Sequence, residues 1–150
     1  MTVIAVAAGC ASSKEGEDRT PRRVRALDQA AGDVRAQLAT ASPSVRTVQL
    51  YRGDDERNLP VVTLRSRDPL VLEFDLLEEG GRPLSVYFYH ADRDWYRDLN
   101  PSEYLKTFQR GDILDYQPSR GTEVSYVHYR YRFPAEDIVF TLSGNYVLRV

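Results

Sequence analysis

Val127, Tyr129, Tyr131 and Phe133 alternate with His128, Arg130 and Arg132, and Pro134 follows at once. A strict alternation of apolar and polar residues fits a strand with one face on a core and the other in water. The same grammar begins at Val45. VRTVQLYR (45–52) and LPVVTLR (59–65) flank the charged turn GDDERN. PLVLEFDLL (69–77) puts Leu70, Leu72, Phe74 and Leu76 on one face and Glu73 and Asp75 on the other. EEGGRP (78–83) makes a turn, and LSVYFYHA (84–91) is apolar on both faces, as a central strand is. Asn145 to Val150 adds a last strand.

Some six strands at short spacing, with no strong helix between them, predict an all-β fold, an antiparallel β-sandwich of immunoglobulin or fibronectin-III type. Leu142-Ser-Gly-Asn-Tyr146 has the form of a tyrosine corner, in which a Tyr opening the penultimate strand returns its hydroxyl to upstream backbone. Tyr146 then opens strand F. The sequence stops inside this alternating pattern, so the last strand, G, is expected beyond residue 150, and the sandwich domain spans 45–150.

The N-terminal third reads differently. Val3 to Ala8 is a short apolar run, and Ala7-Ala8-Gly9-Cys10 resembles a bacterial lipobox, in which the cysteine is acylated and becomes the first mature residue. Ala stands at position 7 where Leu is usual, and no basic segment precedes the run. Residues 1–10 are therefore expected to be the remnant of a lipoprotein signal with Cys10 as the lipidation site. The alternative is a small N-terminal strand with a chance cysteine. Residues 11–44 are polar and read as a tether. One weak helix opens at Thr20-Pro21, with Val24, Leu27, Val34 and Leu38 near one face and Gly32 interrupting it.

Charge and composition narrow the function. Twenty basic and 22 acidic residues give a net charge of -2, which offers no electrostatic case for nucleic acid. A single cysteine excludes an internal disulfide. No apolar run approaches the roughly eighteen residues of a membrane-spanning helix, so a membrane is expected to be met only through the lipid.

The stretch HADRDWYRDLNPSEYL (90–105) concentrates one histidine, four Asp or Glu beside it and the single tryptophan. As a calcium loop it starts well, with Asp92, Asp94, Asp98 and Glu103 at positions 1, 3, 7 and 12. It fails at position 5, which is Tyr96, and at position 6, where Arg97 replaces the glycine of the sharp turn. As a catalytic pair of carboxylates it is weak, because Arg93 and Arg97 interleave with the acids and imply self-pairing in solvent. His90 and His128 could meet across neighbouring strands, but two ligands do not make a specific zinc site. No GxSxG, HExxH, P-loop or Rossmann glycine pattern occurs.

Arg-Gly-Asp at 52–54 and 110–112 reads as charged turns. Tyr126, Tyr129 and Tyr131 could hold sugar rings, but Tyr129 and Tyr131 share a face with Val127 and Phe133 and so belong to the core. The 90–105 stretch is better read as an ordered excursion between strands. Trp95 is expected to be its apolar anchor. Asn100 or Ser102 would cap a turn with Glu103 near its positive end, and Tyr104, Leu105 and Phe108 would fold back on the sandwich. Asp92, Asp94, Trp95, Tyr96, Glu103 and Tyr104 are the candidate partner-binding residues.

VQLYR (48–52), HADRDWYRDLNPSEYL (90–105) and YVHYRYRFPAEDIVFTLSGNYVLRV (126–150), in this order and spacing, resemble the N-terminal domain of the type IX secretion system plug proteins. Val127 stands where Thr is common. The resemblance covers 45–150. It implies a non-enzymatic protein with no cofactor, metal or small-molecule substrate. Such a protein associates with the periplasmic side of the outer-membrane barrel translocon and closes it when no cargo is engaged. A lipid anchor at Cys10 agrees with that location. A different class, a carbohydrate-binding sandwich module, would need an exposed aromatic platform. An accessory domain of a secreted hydrolase is a third reading.

Overall fold

A computed structural model describes residues 3–6, as backbone, and 42–150. Cys10, the tether up to residue 41 and its expected helix lie outside the described residues.

Eight strands and one helical turn follow in the order β1 (Val3–Val6), β2 (Val45–Arg52), β3 (Leu70–Leu76), β4 (Leu84–Ala91), α1 (Pro101–Tyr104), β5 (Arg110–Ile113), β6 (Asp115–Pro118), β7 (Val127–Phe133) and β8 (Asn145–Arg149). They form two four-stranded sheets, β2-β3-β7-β6 and β1-β8-β4-β5. Every pairing is antiparallel. The first order is that of the A, B, E and D strands of an immunoglobulin-like sandwich, and β8, β4 and β5 stand as F, C and C′. The place beside β8 that belongs to strand G is held by β1, in register Val3 with Arg149 through Val6 with Tyr146.

The alternation read from the sequence sets the core. Leu70, Leu72 and Phe74 of β3 and Val127, Tyr129, Tyr131 and Phe133 of β7 face Val86 and Phe88 of β4, Ile113 of β5 and Leu148 of β8. Phe88 meets Phe133 across the two sheets with ring centroids 5.1 Å apart. Tyr129 stacks on Phe74 at 5.2 Å. Its hydroxyl donates to Glu78 Oε1 at 2.8 Å and accepts from the Arg82 N–H at 3.1 Å, which fastens the β3–β4 turn to the core.

On the other side of the β2-β3-β7 sheet, Glu73 is only 9% exposed and contacts Arg130 Nε at 3.0 Å. His128 Nδ1 lies 2.8 Å from Asp75 Oδ1 beside it.

Three expectations need correction. LPVVTLR (59–65) is an irregular loop, not a strand. Pro60 lacks an N–H to give a ladder, the Val61 N–H turns back to Leu59 O at 2.7 Å, and Arg65 takes φ 70°. The triplet 110–112 is not a turn but most of β5, paired with β4. The sequence does not announce β5 and β6, which pair with different sheets, because RGDI and DYQP are too short and too charged to show a period. Leu114 between them is exposed, and the chain changes sheets across this single residue. His90 and His128 do not meet, since β4 and β7 belong to different sheets.

Candidate functional site

The excursion after β4 is built by Asp92. Its Oδ1 accepts from the N–H groups of Asp94 at 2.8 Å and Tyr96 at 2.9 Å. Its own N–H donates to Tyr96 O at 2.9 Å, and its carbonyl accepts from Trp95 N at 3.1 Å and from Asn145 Nδ2 at 3.0 Å. One carboxylate oxygen thus satisfies two loop donors, as Asp commonly does in a tight turn.

Trp95 sits in this turn at φ 66°, half-buried and outside the core cluster. The expected anchoring role of Trp95 is therefore corrected. The turn closes on the Asp92 carboxylate, so it does not require an inserted ring. Arg97 returns to bridge Ala91, and its guanidinium lies over the Tyr89 ring at 5.1 Å. Asp94 and Tyr96 are exposed, and Asp94 meets Arg93 Nε at 3.4 Å.

Tyr104 is the side chain that fixes the excursion to the core. Glu103 Oε2 accepts from the Asn100 N–H at 3.0 Å, which starts α1 and turns the chain inward. Tyr104 is 0% exposed and donates its hydroxyl to Phe88 O at 2.8 Å. Burial pushes this hydroxyl up to about 12, beyond the opposing pull of nearby Arg97. Leu105 is buried as expected. Phe108 is 78% exposed, against expectation, because the chain has already left the core to enter β5.

His90 joins this excursion to a second wall. Its Nδ1 lies 2.7 Å from Asp98 Oδ1, and its Nε2 faces Ser143 O at 3.5 Å. The ring meets Tyr146 edge-on at 5.2 Å. Tyr146 donates to Leu142 O at 2.5 Å, which is the tyrosine corner read from the sequence. Lys106 N to Val139 O and Thr141 N to Tyr104 O, both 2.9 Å, sew residues 104–106 to 139–141.

Behind that wall lies an apolar hollow of about 400 Å³. Val62, Leu70, Phe133, Phe140, Leu142 and Tyr146 line it, and Arg65 is its single charged lining residue. A volume of this size lies within the range of binding pockets. The sequence does not announce the hollow, because LPVVTLR (59–65) has the pattern of a strand. Its other signal, the apolar Phe140 and Leu142 just before the tyrosine corner, carries no period.

The candidate residues therefore separate. Asp92, Glu103, Tyr104 and Tyr146 hold backbone in place. Asp94 and Tyr96 present themselves to solvent, and Trp95 is half-exposed between them.

His90 and Asp98 form a dyad whose far nitrogen points at a main-chain carbonyl, not at a hydroxyl or thiol nucleophile. Among the described residues no group of three or more His, Cys, Asp or Glu could hold a metal ion. Tyr129 and Tyr131 are core residues and offer no platform to a sugar.

No curated protein matches this chain. Among solved structures, a hypothetical protein of Parabacteroides merdae, determined by crystallography at 2.30 Å, is similar in fold, with a TM-score of 0.67 and 30% identity. The match covers 72% of this chain and 28% of that one, so the chain spans under a third of its relative's length. Residues 45–150, which carry both sheets' described side chains, the tyrosine corner and the apolar hollow, match the family model of the type 9 secretion system plug protein first domain. The chain belongs to the type 9 secretion system plug protein family, of which it carries the first domain.

Proposed function

We propose that this domain serves a non-enzymatic plug that docks on the periplasmic side of the outer-membrane barrel translocon of the type IX system and closes it. The family match over 45–150 carries this reading. The site supports it in kind. Asp94 and Tyr96 are exposed and offer a charge and an aromatic ring to a partner, and aromatic anchors beside a polar rim are the usual anatomy of a protein interface. The docking residues in this proposal are Asp94, Trp95 and Tyr96, with Asp92, Glu103 and Tyr104 holding them in place. Acylation of Cys10 would keep the domain at the inner leaflet of the outer membrane, and a palmitate-analogue label that persists in Cys10→Ser refutes it.

Co-purification with the translocon from outer membranes tests the docking. Asp94→Asn and Tyr96→Ala remove exposed groups that hold no core contact, so both variants should melt like the wild type. Each should lower the translocon recovered. Full recovery with both variants removes this rim from the interface. Saturable binding of wild type to a glycan array, with no translocon recovered, favours the carbohydrate module instead.

A further inference from the structure

The hollow beside the tyrosine corner lies apart from the docking rim, since neither Asp94 nor Tyr96 lines it. Its floor is framework. Leu70 of β3, Phe133 of β7 and Tyr146 of β8 are buried strand residues. Its walls are loops. Val62 and Leu64 come from the irregular 59–65 segment, and Phe140 and Leu142 from the approach to β8. Phe140 and Leu142 are only partly buried, and Val139 at the lip is 36% exposed. Apolar side chains gathered in one open concavity, not scattered singly, mark a binding site.

We infer that this hollow binds a single-chain anionic amphiphile, a medium-length alkyl carboxylate, with its tail among Val62, Phe133, Phe140 and Leu142 and its carboxylate on Arg65. Arg65 selects the charge. Among the described residues it is the one charged residue of the lining, it is exposed, and it makes no ion pair or side-chain hydrogen bond. It also holds φ 70°, a left-handed conformation that non-glycine residues keep only where the surroundings impose it, as at ligand clamps. The acids next to the lining in sequence, Asp68, Glu136 and Asp137, are not part of it. The walls select the tail. A sugar or a nucleotide needs many hydrogen bonds, and a peptide brings amides with the same need. Two hydroxyls of the lining are already engaged, Tyr146 donating to Leu142 O and Ser66 Oγ accepting from the Asp68 N–H at 3.1 Å. An alkyl chain asks for no hydrogen bond.

The test titrates decanoate, below its micellar concentration, into the full chain by calorimetry. Binding should saturate, and octanoate, shorter by a pair of methylenes, should bind roughly tenfold more weakly. Decylammonium carries the same tail with the opposite charge and should bind about fivefold more weakly than decanoate, the scale of an exposed ion pair. Arg65→Glu should reverse that preference. Ala135 is exposed and lines the hollow, so Ala135→Trp should block both ligands while melting like the wild type. Absence of saturable decanoate binding, an unchanged preference in Arg65→Glu or full binding by folded Ala135→Trp overturns the inference. So does recovery on phosphatidylglycerol vesicles without binding of monomeric decanoate, which would make this face a membrane surface. None of these outcomes bears on the translocon, because both variants leave Asp94 and Tyr96 in place.

Discussion

Tyr104→Phe isolates one hydroxyl at the joint between the excursion and the core. The ring stays, with His90 and Tyr146 at 5.8 Å on either side. What goes is the 2.8 Å bond to Phe88 O and the acceptor that Gln109 Nε2 meets at 3.3 Å. Phe88 O keeps Gln109 Nε2 at 3.0 Å, so no carbonyl is orphaned. The cost at neutral pH should be about 1 kcal/mol, the net worth of a buried hydrogen bond. Tyr104→Ala, which also opens a cavity, should cost about 3–5 kcal/mol.

The pH dependence makes the test sharper. The folded hydroxyl is pushed up to about 12 by burial, above its unfolded value near 10. A raised value stabilises the fold fully below pH 10. Between pH 10 and 12 the unfolded chain releases a proton that the native one keeps, so stability is lost as pH rises, by about 1.4 kcal/mol per pH unit for this group. The phenylalanine variant lacks that loss. Its deficit of about 1 kcal/mol at pH 7 should therefore vanish near pH 11. Urea denaturation at pH 7, 9 and 11 reads both effects. Parallel stability curves for the two proteins across that range would refute the buried-hydroxyl argument.

Trp95→Gly should change stability little, within about 1 kcal/mol, because relief of a φ of 66° offsets the loss of a half-buried ring; a loss above about 3 kcal/mol in thermal melts would restore Trp95 as an anchor. Gly144→Ala would drive its methyl against His90 Nε2, and amide exchange of residues 92–100 should then rise as the His90–Asp98 contact loosens; an unchanged pattern would show that the ring simply moves aside. Asp92→Ala leaves the Asp94 and Tyr96 N–H groups without their acceptor and should cost about 1–2 kcal/mol by denaturation, whereas Asp92→Asn keeps an oxygen in place and should cost less.

Glu73 shows how far a sheet can depart from the half-buried pattern without losing order. It lies opposite Arg130 in register, 3.0 Å from its Nε, yet that N–H is not aligned for a hydrogen bond. The pairing is Coulombic, and burial together with the Glu73 carboxylate pushes the nearby Tyr51 hydroxyl up. Removing Arg130 leaves the buried Glu73 carboxylate without its counter-charge, whereas Arg130, with 35% of its side chain exposed, would keep water if Glu73 were removed.

Period-two alternation is a local property. It was enough to fix β3, β7 and β8, the residues they bury and the tyrosine corner at Tyr146. The fold class follows from it, since such faces are stable only against another sheet. The order of family motifs in 45–150 was equally legible, because it needs no geometry. Four things were decided only by tertiary contacts. RGDI and DYQP become strands because β4 and β7 offer them an edge, while LPVVTLR does not because Pro60 and the turn at Arg65 deny it one. Trp95 is displaced as anchor by Tyr104, because Asp92 closes the turn and leaves the buried slot beneath Phe88 O to α1. The hollow beside Phe140 arises from three segments distant in sequence, and the β8 edge is closed by residues 3–6. Both depend on which chain ends and loops meet in space, and no period along the chain encodes that.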